Sequence, residues 1–543
     1  MGIFRTAVIA TALLAAPTLA LGQAPEPAPA VPTADRDAEV DALFSAYATL
    51  ETPGCAVSAA RDGQLLVERG YGSANLEYDI PITPVTVFEA GSVSKQFTAA
   101  AILLLAQEGR LKLGDDIRKY LPKMPDYGRP ITIEQLLTHT SGLRDWGDLA
   151  GFMGWPRTTR AYSQDDILEI IRRQRSLNYE PGAEYSYTNS GYNLLTEIVR
   201  KASGQSLADY SRTKIFAPLG MTRTAWRDDF HRIVRGRAAA YQRIGAGYQE
   251  LMPFEDGYGN GGLLTTVGDL QTWNQALASN TLGDLGAQLE RRGVLSNGAR
   301  IAYGRGVLVQ AWQGLEEVGH SGATAGYRAW LARYPAEKLS VAVLCNASDA
   351  NTVPLGRAVA ALFLRPPPPP TETVPLRNPA ALAGMYVNEK TGRPLVLVAG
   401  ASGLSVSGAG PLYPLTADSV RFGGDVIAFQ EPGVFVLRTL EGGRYIHRRT
   451  PHWAPTTEQL LDFPGRYHSD ELDVTYRVTL DAGQLSLKLE NRTLPAIAMG
   501  AMYQDAFNLS GNLARFRRDK AGKVTHLRLG SARVRDLVLR RIG

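Results

Sequence analysis

Arg365 is followed by five consecutive prolines, Pro366–Pro370. Each ring holds φ at about −65° and removes a backbone donor, so the run can continue neither a helix nor a central strand. It reads as a stiff, extended spacer and marks the clearest domain boundary in the chain. At 543 residues the chain is also too long for one ordinary core. Texture changes at the spacer. Residues 36–365 mix helical and strand periods, whereas the later residues run in short alternating strands with Gly turns. Within that second part, Leu382-Ala383-Gly384-Met385-Tyr386 is echoed 81 residues later by Phe463-Pro464-Gly465-Arg466-Tyr467. The expected fold is an α/β (α+β) domain over 36–365, with a central antiparallel sheet flanked by helices. A linker over 366–374 leads to two small all-β antiparallel barrels, 375–455 and 456–543.

Residues 1–22 read as a secretory signal: Arg5, an apolar core from Ala7 to Leu14, and small residues near Ala20-Leu21-Gly22. Pro17 and the shortness of the apolar run argue against a membrane anchor. Residues 23–35 are a Pro/Ala-rich spacer, expected to be disordered. The expectation is therefore an exported protein, most simply periplasmic, with no stable membrane insertion. A net charge of +5, from 58 basic and 53 acidic residues, is too slight to point to nucleic acid. Basic residues near the end (Arg515, Arg517, Arg518, Lys520, Lys523) read as a solvated face or a contact for anionic cell-wall polymer. Cys55 and Cys345 are the two cysteines. They suit buried free thiols; an even count, export and neighbouring strands also allow a disulfide. Neither has the companions of a metal site, and no cofactor is expected.

Chemistry concentrates in Phe88-Glu89-Ala90-Gly91-Ser92-Val93-Ser94-Lys95-Gln96-Phe97-Thr98 and the apolar run behind it. Gly91 and Ser92 start a helix that reaches Glu108, so the Ser92 hydroxyl meets the helix's positive end and Lys95 shares its face. A hydroxyl, an amine and free N–H groups are the parts of an acyl-transfer site. A second match, Ser211-Arg212-Thr213-Lys214, lies in a polar stretch and lacks that helical setting. Tyr-x-Asn occurs at Tyr187/Asn189, Tyr258/Asn260 and Tyr386/Asn388. The first sits on a loop ahead of a helix expected over Leu194–Ala202; the second suits a site wall; the third lies beyond the prolines. Lys390-Thr391-Gly392 falls in the barrel region, so His320-Ser321-Gly322-Ala323, where the final strands begin, is the better third element. His139 is read as structural, since a Lys-assisted serine needs no imidazole.

These three motifs, in this order, resemble the serine β-lactamase and penicillin-binding superfamily, in the branch with class C β-lactamases, D,D-peptidases, esterases and D-aminopeptidases. Ser141-Gly142-Leu143-Arg144-Asp145-Trp146, Tyr185-Ser186-Tyr187-Thr188-Asn189 and Gly319-His320-Ser321-Gly322-Ala323 look closest to the D-aminopeptidases, which are similar in carrying two barrels after the catalytic domain. His320 in place of Lys departs from β-lactamases. The resemblance implies a Ser92 nucleophile, with Lys95 as base or as the holder of a Tyr187 phenolate. It implies that Asn189 orients the substrate amide, that Ser92 and Ala323 N–H groups form an oxyanion hole beside Gly322, and that His320 binds the substrate's end. The expected activity is acyl transfer on small, D-amino-acid-containing amides or peptides. Alternatives are an esterase or weak β-lactamase, and a non-catalytic binder of cell-wall fragments. Whether a barrel lends the cleft a loop, and whether the chain assembles into oligomers, stay open.

Overall fold

A computed structural model describes residues 34–157, 159–366, 374–401 and 403–542. The expected leader, nearly all of the first spacer and the proline run past Pro366 lie outside them.

The first domain is built on a six-stranded antiparallel sheet. Its order is Leu308–Trp312, Leu315–Thr324, Tyr327–Tyr334, Leu339–Cys345, Cys55–Arg61, Gln64–Tyr71. Asp62 and Gly63, both at positive φ, make the tight turn of the first hairpin. The strand Cys55–Arg61, one in from the edge, is buried on both faces, and its small side chains let helices approach the sheet closely. Thr352–Phe363 and Ala34–Leu43 cover one face, where Val40, Phe44, Val57, Trp330, Val343 and Val359 pack together. Val267–Ala278 covers the other, leading into a larger helical lobe. The first helix stops at Leu43, and a single 3₁₀ turn, Ser45–Tyr47, follows.

Cys55 and Cys345 face each other across neighbouring strands, with Cα atoms 4.0 Å apart, and are joined as a disulfide. Of the two readings the cysteines allowed, the bridge is the one found. It closes the chain's first strand onto the last strand of the domain.

Lys95–Gln107 runs through the middle of the helical lobe and is buried almost all round, as its Ala-rich sequence permits. It packs on Asn189–Ser203. That helix starts five residues earlier than Leu194, because Thr188 caps it by accepting the Ser190 N–H. Asn189 is therefore its first residue rather than part of a loop. His320 also lies mid-strand, not at a strand start. A Gln313-Gly314 turn at positive φ begins the hairpin earlier than the apolar pattern suggested.

Each C-terminal unit is an antiparallel up-and-down barrel of nine strand segments, spanning Gly384–Arg449 and Gly465–Arg541. In each, the first strand pairs with the last. The two edge segments of each sheet are consecutive in sequence: Gly410–Pro411 with Tyr413–Thr416, and Ile497–Ala498 with Gly500–Tyr503. The sheet thus curls until its ends meet, which removes free edges. The sequence echo has a shared cause. Tyr386 Oη donates to Leu382 O and Tyr467 Oη to Phe463 O, pinning the entry turn to each barrel wall. Phe435 and Ile427 fill the first barrel; Phe463, Phe507 and Phe516 fill the second.

Both barrels dock on the first domain, and the second shares its hydrophobic core. Arg144 Nη1 meets both carboxylate oxygens of Glu471 at 2.6 and 2.8 Å, with both side chains nearly buried. Tyr476 Oη donates to Phe152 O at 2.5 Å. Asn178 holds the loop before the final strand, donating to Arg533 O and accepting from the Arg535 N–H. Glu184 gathers three groups from the barrels: Tyr445 and Lys390 of the first, Arg535 of the second. Lys390-Thr391-Gly392 accordingly serves a domain contact, with Tyr503 Oη bonded to Gly392 O.

Candidate active site

The buried strand Phe88–Glu89 delivers the chain into a 3₁₀ turn, Gly91–Ser94, that runs straight into the helix Lys95–Gln107. Glu89 anchors this approach. Its carboxylate is fully buried, bonded to the Arg227 guanidinium at 2.8 Å, and, although burial acts against it, held below the usual carboxylate range by Arg227 and Arg237. Gly91 has φ +51°, and a Cβ there would lie 2.5 Å from Ala323 N. A Cβ on Gly322 would lie 2.0 Å from Ala90 O. Both glycines are thus required for the serine turn to sit against the strand Leu315–Thr324.

This contact puts Ser92 and Ala323 in one cleft of about 640 Å³, also lined by Arg157, Tyr185, Tyr187, Asn189, Asn260 and Tyr303. His320, Gly322, Glu441 and Arg533 also line it. A larger groove of about 840 Å³ beneath Val267–Ala278 holds none of these residues. The decoy pair does not assemble: Ser211 Oγ is buried without a hydrogen-bond partner among the described residues, and Lys214 pairs with Glu108.

At the centre, Tyr187 Oη donates to Ser92 Oγ at 2.8 Å, and Lys95 Nζ lies 3.1 Å from the same oxygen. Lys95 Nζ also meets Asn189 Oδ1 at 3.0 Å and Asn260 O at 2.5 Å. Both are acceptors only. A neutral amine satisfies all three contacts, with two hydrogens on the carbonyl oxygens and its lone pair on the Ser92 hydroxyl. Electrostatics favour that state. Burial, helped by the Arg533 and Arg157 guanidiniums and opposed by Asp145, holds the Lys95 ammonium well below its ordinary pKa. Burial pushes the Tyr187 phenol up, although the Ser92 hydrogen bond and Arg533 act in the other direction. Burial thus favours Lys95 without its proton and Tyr187 with its proton.

Asn189 lines the cleft from the start of its helix, with its backbone N–H held by Asp145 Oδ2 at 2.6 Å. Asp145 also caps the helix Trp146–Phe152, so one carboxylate fixes two helix starts around the site. His320 lies in the cleft wall, but both ring nitrogens are engaged. Nε2 meets Tyr303 Oη at 3.0 Å, and Nδ1 meets Ser321 O. Burial, with Lys95 nearby, lowers its pKa to about 4 against the pull of the Ser321 carbonyl. It is a neutral wall residue and supplies no cation for a substrate's end. His139 packs 4.3 Å under the Tyr187 ring and accepts the Thr188 N–H, a supporting position away from Ser92.

Motif spacing did not single out Arg157, Tyr303, Glu441 and Arg533. Tyr303 and Arg157 sit in ordinary stretches, and the other two arrive from the barrels, Glu441 on a turn of the first and Arg533 on the loop before the last strand of the second. Nothing in barrel periodicity marks a turn that reaches a distant site.

The Beta-lactamase family model matches residues 40–365. D-aminopeptidase of Brucella anthropi is 26% identical over 90% of this chain and 95% of its own length. D-aminopeptidase of Gluconobacter oxydans is 31% identical over 65% of this chain and 67% of its own. Among solved structures, an octameric penicillin-binding protein homologue from Pyrococcus abyssi superposes with a TM-score of 0.53 at 21% identity, covering 94% of this chain and 100% of that one. That likeness extends the fold agreement through both barrels.

Proposed function

The chain belongs to the beta-lactamase family and is a serine hydrolase of the kind that family contains, and from that premise we propose that it cleaves short, D-amino-acid-containing amides or peptides through an ester on Ser92. One observation carries the reading: Lys95 Nζ is held by two carbonyl acceptors with its third contact on Ser92 Oγ. In acylation, the Ser92 Oγ–C bond forms as its proton passes to Lys95, and the N–H groups of Ser92 and Ala323 take the developing oxyanion. The C–N bond then breaks, and the leaving nitrogen takes a proton from the Tyr187 side of the site. Water releases the acyl group as a carboxylate by the reverse proton path.

The D-stereospecific reading is supported by the full-length match to D-aminopeptidases. Action outside the cytoplasm is supported by the leader-like start and by the Cys55–Cys345 bridge, which persists in oxidising compartments. D-alanine p-nitroanilide and acyl-D-Ala-D-Ala, each beside its L counterpart, test the reading. Turnover of a D substrate by the wild type, none by Ser92→Ala, and little of the L form is expected. Rapid nitrocefin or short-ester turnover with every peptide inert would replace the reading with the esterase or β-lactamase alternative.

A further inference from the structure

The walls of the cleft carry an unusual charge inventory. Three arginines line it: Arg157, Arg328 and Arg533. Arg157 is committed to the Glu255 carboxylate. Arg328 donates to the carbonyls of Ala325 and Tyr327. Arg533 differs. Its guanidinium makes no hydrogen bond to any of the described residues, and its side chain is 39% exposed. The nearest acid, Asp145, stands 3.8 Å away and already accepts N–H bonds from Asn189, Gly147 and Asp148.

The rest of this residue is rigidly placed. Its carbonyl accepts from Asn178 Nδ2 at 2.9 Å, and its N–H donates to Ser531 Oγ at 3.2 Å. The guanidinium lies over the Tyr187 ring, 5.0 Å from its centre, and that same ring carries the hydroxyl bonded to Ser92. A substrate held at Ser92 therefore passes beside a planar fork of N–H donors whose ion pair with Asp145, at 3.8 Å, is too long for a hydrogen bond. Such a fork matches the two oxygens of a carboxylate and is poorly suited to an ammonium. His320 cannot do this work, since both its nitrogens are occupied. Glu441 also lines the cleft, from the first barrel, and after burial its carboxylate helps to push the Tyr185 phenol up.

We infer that Arg533, delivered by the second barrel, is the carboxylate-binding residue of the cleft, and that preferred substrates carry a free carboxylate next to the bond cleaved. This rests on the serine acyl-transfer reading above and narrows it from D-amides in general to anionic D-peptides. Two sources share the chemistry: the C-terminal carboxylate of a peptide and the side chain of an acidic residue.

The test compares kcat/KM of the full-length enzyme on acyl-D-Ala-D-Ala, on its C-terminal amide, and on that amide with D-Glu as its last residue. Arg533 also helps to keep Lys95 neutral, so its loss will alter every substrate to some degree. That shared effect cancels in the ratio of free acid to amide. The wild type is expected to prefer a carboxylate by about 10- to 100-fold, the range of a charge-assisted pair. Arg533→Ala brings the ratio to about 1, mainly through KM, and Arg533→Lys restores part of it. Preference for the free acid assigns the C-terminus as the source; preference for the D-Glu amide assigns the side chain. A wild-type ratio near 1, or a preference kept intact in Arg533→Ala, overturns the inference. A p-nitrophenyl acetate burst that disappears in Ser92→Ala reports acyl transfer independently. Its presence without carboxylate preference sinks only the role of Arg533, and its absence sinks the underlying reaction.

Discussion

Breaking the Arg144–Glu471 pair should undock the second barrel at a cost that surface ion pairs do not carry. Arg144 is 2% exposed and Glu471 9%, and one guanidinium nitrogen contacts both carboxylate oxygens. In Glu471→Ala the guanidinium stays buried with Ser176 Oγ as its remaining side-chain partner. Leaving one such charge unpaired costs about 3–5 kcal/mol, against about 0–1 kcal/mol for an exposed pair. Replacing both residues by apolar ones of similar size, Arg144→Met with Glu471→Leu, removes the stranded charge and should recover most of the loss. Urea unfolding of the wild type, both single variants and the double variant forms a thermodynamic cycle. The first domain and the second barrel share one hydrophobic core, so a common unfolding transition is expected. Both singles are expected to be strongly destabilised, with the double variant close to wild type. A loss below about 1 kcal/mol in Glu471→Ala would refute the buried docking contact, and with it the delivery of Arg533 to the cleft.

Other outcomes follow from the same geometry. In the proposed reaction Lys95 acts without its proton, so kcat/KM should rise with pH through the lowered pKa of Lys95 and then level off. Lys95→Arg, which keeps its charge at every accessible pH, should show no plateau and almost no activity. Tyr187→Phe deletes the hydroxyl 2.8 Å from Ser92 Oγ and should lower kcat by about 10²- to 10⁴-fold, with an unchanged melting curve as the control for folding. His320 is buried and neutral, with its pKa lowered to about 4, so the unfolded chain takes up a proton near pH 6.5 that the folded chain refuses. Stability should fall by about 3 kcal/mol as pH drops from 6.5 toward 4, and His320→Gln should remove that part of the loss in acid urea titrations. The denatured, unreduced protein should give a free-thiol count of zero and two after reduction.

Legibility in the sequence followed the range of the interactions. The Ser92 helix and the Asp62-Gly63 hairpin are local, and their residues announce them. The barrels were readable as alternating strands, and their repetition through the Tyr386 and Tyr467 turns. Errors came where a single polar residue moved a boundary. Thr188 pulled a helix start back to Asn189, and Gln313-Gly314 pulled a strand start back to Leu315. The protonation of the site depended on burial, so the choice between Lys95 and Tyr187 as base could not be made from spacing. Arg533 and Glu441 come from loops of separate barrels, more than 100 residues past the serine domain's motifs. Only docking, fixed by Arg144, Asn178 and Glu184, brings them to the cleft.

The most direct test of the Ser92–Lys95–Tyr187 reaction is rapid-quench intact-mass analysis with an N-acyl-D-alanyl ester. The wild type should gain the mass of one acyl group within the first turnover, and peptide mapping should place it on Ser92. The adduct should be missing in Ser92→Ala and form far more slowly in Lys95→Arg. An adduct on another residue, or product released at the wild-type rate by Ser92→Ala, would contradict the mechanism.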